Sequence, residues 1–189
     1  MSIKRPRYFH GGVPGLAAGD IIIPRNELPD GSFDRIATSE GYPADPAMTY
    51  FSERVKVARA YAMRFANSPT PAAREGWVYE VRPVPAEAIT LDSDFIASAK
   101  CWCAPRCEIV AVIERAVPGG YRAINRILGP YMEWTDGRAV YTREGYMTIC
   151  PELRKQGFTD AHLRPLGPWI SVDHIRYNAD EQRLYVWRP

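Results

Sequence analysis

His10 stands directly before Gly11 and Gly12, at the end of the short apolar run Tyr8-Phe9. An imidazole flanked by bare backbone, between two short strands, can hold a ligand from two sides. Tyr50 opens Tyr50-Phe51-Ser52, and Tyr61 follows eleven residues later. Eleven residues are about three helical turns at 3.6 residues per turn, so Tyr61 returns to the side on which its helix begins. Carboxylates come next: Asp92 and Asp94 in Asp92-Ser93-Asp94, and Glu108 at the start of Glu108-Ile109-Val110-Ala111-Val112-Ile113-Glu114. Each piece has an ordinary alternative. His-Gly-Gly is usually a turn, both tyrosines suit a core, Asp-Ser-Asp suits a turn, and Glu108 suits a solvated strand end.

The elements that must position these groups are short. Residues 7–9 and 20–24 read as strands joined by a linker containing Gly11, Gly12, Pro14, Gly15 and Gly19. Residues 25–46 are rich in Pro, Gly, Asp and Ser and read as a long loop, with a lid as its expected role. Met48 to Ser52 is a β-type run. Ser52 is placed as an N-cap with Glu53 in the first turn, and Val55, Ala58, Tyr61, Ala62 and Phe65 form the apolar face of the helix that follows. Asn67-Ser68-Pro69-Thr70-Pro71 ends it. Gly76 to Pro83 alternates as a strand, and Ile89-Thr90-Leu91 is another. Ala99–Cys103 and Glu108–Glu114, joined through Ala104-Pro105-Arg106, are expected to form a hairpin.

Beyond Pro118-Gly119-Gly120 the character changes. Tyr121 to Leu128 suits a short helix. Residues 129–168 are turn-rich, with Tyr131, Trp134, Tyr141 and Tyr146 among them. A closing hairpin is expected between Ile170–Tyr177 and Arg183–Trp187, around Asn178-Ala179-Asp180-Glu181. Many short strands and one clear helix predict an α+β fold, divided into residues 1–118 and a mostly β extension, 119–189, packed on the same domain.

A chain of 189 residues is long enough to bury a proper core. Residues 1–100 carry 12 basic and 12 acidic residues and 101–189 carry 12 and 10, so neither half is a basic arm and composition argues against nucleic acid. No apolar run approaches membrane-span length, and no apolar stretch follows the basic N-terminus. A cytoplasmic location is expected. Cys101, Cys103, Cys107 and Cys150 lack the paired spacing of zinc sites, so a structural role and no metal are expected.

Taken in order, His10-Gly11, Gly19-Asp20-Ile21 to Pro24, Tyr50-Phe51-Ser52, Val57-Ala58-Arg59-Ala60-Tyr61 and a late acid resemble the His-Tyr-Glu class of ADP-ribosyltransferases. Over residues 7–115 the order looks most like the small rifamycin-inactivating members, and residues 116–189 lie outside the likeness. Tyr50 followed by Tyr61 is also similar to the poly-ADP-ribose polymerase pattern. The resemblance implies split antiparallel β-sheets with few helices, and a mono-ADP-ribosyltransferase that uses NAD as substrate. It implies that the Gly11 backbone grips the nicotinamide carboxamide, that Tyr50 and Tyr61 sandwich the ring, with Ser52 beside them, and that His10 bonds the adenosine-side ribose. The acid would sit near the positive charge that develops on the other ribose. Asp92 matches the rifamycin-type position, and Glu108 matches the strand-opening glutamate of the toxin and polymerase types.

The acceptor is open between a protein and a rifamycin-like small molecule. The alternatives are a non-catalytic NAD or ADP-ribose binding module and a phage or secretion-associated structural protein. An RNA 2′-phosphotransferase needs a second histidine in the site, and His162 and His174 fall outside the matched region.

Overall fold

The computed structural model describes residues 6–28, 45–67, 75–93, 95–178, 180–181 and 183–186. Asp94, most of the 25–46 loop, the segment after Asn67, Ala179 and Trp187 lie outside them. The chain divides into two compact units, Met1–Gly120 and Tyr121–Pro189.

Among its described residues the first unit has seven strands: β1 (Tyr8–Gly12), β2 (Ile21–Ile22), β3 (Thr49–Ser52), β4 (Trp77–Val84), β5 (Thr90–Leu91), β6 (Cys101–Ala104) and β7 (Arg106–Glu114). Their order is β2-β7-β4-β1-β3-β6-β5, and every pairing is antiparallel. The fold is therefore mixed α+β with an antiparallel sheet.

The sheet has a weak point. β1 pairs with β4 over five positions, from Tyr8↔Val81 to Gly12↔Trp77. β3 pairs with β6 over four, from Thr49↔Ala104 to Ser52↔Cys101. Between β1 and β3 the ladder consists of the single pair Phe9↔Ser52. The sheet thus falls into two well-paired halves, β2-β7-β4-β1 and β3-β6-β5.

The expected hairpin between Ala99–Cys103 and Glu108–Glu114 does not form. β6 and β7 are joined through Pro105 alone, yet β6 pairs with β3 and β5 while β7 pairs with β4 and β2. Across a flat sheet the two strands would stand about 19 Å apart, four spacings of ~4.8 Å. Ala104 to Arg106 can span at most ~7 Å. The sheet must therefore fold over on itself, and one buried cluster draws on both halves: Phe51 and Ala104 from one, Tyr79, Val81, Cys107 and Ile109 from the other.

Helix α1 (Val55–Met63) lies against this sheet. Its buried residues are Val57, Ala58, Ala60, Ala62 and Met63; Ala58 and Ala62 belong to the expected Val55/Ala58/Tyr61/Ala62/Phe65 face, whereas Val55 is exposed, so the face is rotated from the expected one. The cause is the close approach of two glycines. A Cβ on Gly11 would lie 1.9 Å from the Ala58 carbonyl oxygen, and one on Gly76 would lie 2.0 Å from that of Ala62. Only glycine at these two positions, one on β1 and one directly before β4, allows the helix backbone so close. The N-cap is Arg54. Ser52 instead ends β3, its Oγ accepting from the Arg54 N–H at 3.0 Å and donating to the Lys100 carbonyl at 2.9 Å.

The second unit is not mostly β, as expected of residues 119–189. It contains helices α2 (Tyr121–Leu128), α3 (Pro151–Lys155) and α4 (Asp160–Leu163), and one two-stranded hairpin, β8 (Ile175–Asn178) with β9 (Arg183–Val186). Asn178 Oδ1 accepts from the Asp180 and Glu181 N–H groups and closes its turn. The hairpin is shorter than expected because residues 172–174 coil into a 3₁₀ turn. The aromatic-rich stretch before it makes two tight loops of the same design. Trp134 N–H donates to Arg138 O with Gly137 at φ +78°, and Thr142 N–H donates to Tyr146 O with Gly145 at φ +90°. Each is a three-residue loop that ends in a left-handed glycine. Val140, Tyr141, Met147, Ile149 and Leu163 form this unit's own core.

Candidate functional site

At the weak junction between β1 and β3 the first unit holds a recess lined by Phe9 and Gly11 of β1, Tyr50, Phe51 and Ser52 of β3, Val57, Ala58 and Tyr61 of α1, Asp92, and Cys101 of β6. It encloses about 230 Å³ including the part open to solvent. At rest it has room for about one water molecule. Four residues expected to share a ligand site from the sequence, Gly11, Tyr50, Ser52 and Tyr61, meet in this wall, with Asp92 beside them.

Asp92 follows the two-residue strand β5 and is only 4% exposed. Its N–H donates to the Cys101 carbonyl at 3.1 Å, which seats the side chain next to the Cys101 thiol. Burial, and then the Asp92 charge, push that thiol up to about 11, against the opposing pull of the Ser52 hydroxyl and Arg54. Cys101 is therefore a protonated, inert wall residue at neutral pH. Cys107, in the core, is pushed up to about 12 by burial. All four cysteines are free thiols, and among the described residues no cluster of three or more His, Cys, Asp or Glu could hold a metal.

The two tyrosines are held differently. Tyr50 is half-buried, and its hydroxyl donates to the Asp45 carbonyl at a long 3.4 Å. Tyr61 stands edge-on to Phe95 at 6.4 Å between ring centres and carries the Arg64 guanidinium over its ring at 4.8 Å. Neither Phe95 nor Arg64 stood out in the sequence, although Arg64 lies three residues beyond Tyr61, the spacing at which helical side chains meet.

His10 is half-buried and sits beside the recess wall. Its Nδ1 donates to the Tyr50 carbonyl at 2.8 Å. The ring leans over Gly12, where an added Cβ would lie 2.6 Å from Nε2. Gly11 faces α1, so His10 and Gly12 occupy the opposite face of β1 by strand alternation. Burial holds His10 below the ordinary imidazole value, and the bond to Tyr50 only partly offsets it. At neutral pH the ring is uncharged, with its proton on Nδ1 and a lone pair on Nε2.

Glu108 is placed elsewhere. It lies on β7, opposite Ile21 and Arg82, and its carboxylate pairs with the Arg82 guanidinium at 2.6 Å. β4 separates β7 from β1 in the sheet, and Glu108 is not part of the recess wall. His162 and His174 belong to the second unit. His162 caps α4 with Thr159, and His174 packs edge-on to Tyr121 at 4.8 Å.

No family model matches the chain, and no curated protein matches it. Among the described residues no helix is long and apolar enough to cross a membrane.

Proposed function

We propose that the recess between β1 and β3 binds the nicotinamide end of NAD, and that the protein is a mono-ADP-ribosyltransferase with an ADP-ribosyltransferase-like split sheet. One observation carries this: a glycine backbone, two tyrosines and a nearly fully buried aspartate converge where two half-sheets part. Aromatic faces attract a flat cationic ring, and a carboxylate shielded from water acts strongly on positive charge that develops beside it.

In the reaction the bond between ribose C1′ and the nicotinamide nitrogen breaks, and its electron pair goes to the ring. The acceptor's nucleophile bonds to C1′ and loses its proton. Asp92 is the acid assigned to the developing charge, Tyr50 and Tyr61 hold the ring, and Gly11 offers backbone to the carboxamide. The resting recess is smaller than a nicotinamide ring, so Tyr61 must swing with Phe95 and Arg64 to admit it. The acceptor is a protein or a rifamycin-like small molecule, and the balanced charge argues against nucleic acid.

Incubation with labelled NAD, in the presence of a protein lysate or of rifampicin, tests the reading through released nicotinamide and transferred label. Release above background that disappears in Asp92→Asn supports it. No NAD binding and no release by any acceptor pool overturns it. The tightness of the recess favours one other reading, a module that binds NAD or ADP-ribose without turning it over. Binding without release would select that module.

A further inference from the structure

Tyr61 lines the recess, and a cation lies over its ring: the Arg64 guanidinium, 4.8 Å from the ring centre. Arg64 is exposed and is not part of the recess wall, so it covers Tyr61 from the side away from the recess. α1 runs on past Met63 as the 3₁₀ turn Arg64–Asn67, which keeps Arg64 within reach of the side chain three residues before it. Phe95, edge-on at 6.4 Å, packs against the same ring. Among the described residues no carboxylate pairs with Arg64. The wall itself carries the opposite charge, on the nearly fully buried Asp92. We propose that Arg64 sets the charge preference of the recess. Acting through Tyr61, it disfavours a cationic ring there and, with Asp92, favours the passage of positive charge from that ring to the attached ribose. The inference rests on the nicotinamide reading of the recess.

NAD brings a ring whose nitrogen carries positive charge. When the C1′–N bond breaks, its electron pair returns to that nitrogen and the ring leaves as neutral nicotinamide. The positive charge passes to the ribose until the acceptor's nucleophile bonds to C1′ and gives up its proton. A fixed cation behind the ring is therefore felt most before the bond breaks, whereas a buried carboxylate gains as the ribose charges. A guanidinium on one face of a tyrosine also lessens the attraction that the ring offers a second cation. A ring stacked on Tyr61 stands about 9 Å from Arg64, the 4.8 Å above plus a stacking separation of about 4.5 Å. At that distance a unit charge shifts an equilibrium about twofold in water and roughly twentyfold in a shielded site. A second cation, Arg54, acts on the Cys101 thiol beside Asp92. It stands at the acid's end of the recess and cannot supply this bias.

Two rings titrated calorimetrically into the full-length protein test this. One is neutral nicotinamide. The other is 1-methylnicotinamide, a permanent cation whose methyl stands where C1′ would be. Arg64→Gln should tighten the cation about fivefold and leave nicotinamide within about twofold of its original affinity. Arg64→Lys keeps the charge and should match the unchanged protein with both rings. With NAD as substrate, Arg64→Gln should lower kcat and KM together, each about fivefold, without lowering kcat/KM, the pattern of a ground-state repulsion removed. A merely structural Arg64 would move both rings alike. Equal shifts of the two rings, looser binding of the cation in Arg64→Gln, a fall in kcat/KM, or Arg64→Lys behaving as Arg64→Gln overturns the role of Arg64 and leaves the recess in place. Discrimination between the rings without any turnover of NAD keeps the charge preference and removes its part in the reaction. If neither ring binds the unchanged protein, the nicotinamide reading falls and this proposal with it.

Discussion

Asp92 and Glu108 occupy opposite environments, and that difference ranks them. Asp92 is buried against a thiol in the recess, while Glu108 is paired with an arginine that is mostly exposed. Asp92→Asn keeps the shape and removes the charge. It should lower the rate of nicotinamide release by about 10²-fold or more with little change in KM, the pattern of an electrostatic contact made mainly in the transition state. Glu108→Gln should leave the rate near that of the unchanged protein and cost about 1 kcal/mol of stability or less, because surface ion pairs contribute little. Steady-state kinetics and urea denaturation measure both. The sequence showed the residue types at this site but not the choice between the two acids, because the choice depends on which half-sheet each strand joins. Asp92 follows β5, at the end of the half that holds Tyr50, whereas Glu108 lies on the other half.

His10 brings a pH dependence of stability. Burial holds its folded-state value below the ordinary imidazole value of about 6.5, so the unfolded chain binds the proton more readily. The resulting stability is present in full above about 6.5 and is lost as pH falls through the folded-state value. Denaturant midpoints should therefore drop between pH values of about 7 and 5.5, and they should drop less in His10→Asn, which has no proton to take up.

At the level of elements, α1 and the two glycines beneath it form one fitted contact. Gly11→Ala would push a methyl into the Ala58 carbonyl, a backbone atom that cannot swing aside. It should lower stability by about 1–3 kcal/mol, the usual cost of overpacking, and thermal melting measures it. Gly15→Ala has open space around its Cβ but φ +97°, so it should show only the smaller cost of a strained backbone. This contact also explains why the helix face was hidden in the sequence. Alanines give a faint apolar signal: the apolar spacing includes Ala58 and Ala62, which are buried, but it also takes in the exposed Val55 and passes over the fully buried Ala60. β4 is legible because Tyr79 to Val84 alternates between buried and more exposed residues, the one pattern that a strand writes into its own sequence. The β6–β7 hairpin was misleading for the converse reason. Ala104-Pro105-Arg106 encodes a sharp change of direction, but nothing local in it encodes which neighbours the strands will choose.

At the scale of the whole molecule, each unit has a core of its own, Phe51 to Ile109 in the first and Val140 to Leu163 in the second. A fragment comprising residues 1–120 should therefore unfold cooperatively in urea and, if the recess is the NAD site, bind NAD with the affinity of the full chain. A fragment without a cooperative transition would show that the first unit depends on the second. The sequence of the second unit suggests β structure because its turns and aromatics imitate a meander. Its two glycine-closed loops are hairpin turns carried on bridges of one pair each, Glu133↔Ala139 and Tyr141↔Met147, with helices filling the remaining space.

The single residue between β6 and β7 bears on how the first unit assembles. With Pro105 as the whole connection, β6 of one half-sheet and β7 of the other never drift apart once either half has formed. Each is held near the other at a very high effective concentration, so their meeting is an intramolecular closure with almost no loop to order. The gap that exposes Tyr50 and Gly11 lies between β1 and β3, and the link joins β6, the partner of β3, to β7, which is one strand removed from β1. Lengthening the Pro105 link with a few glycines would leave every ladder intact, yet it would let the halves breathe. The spacing of the recess should then become variable, a change that ligand affinity would register before stability did.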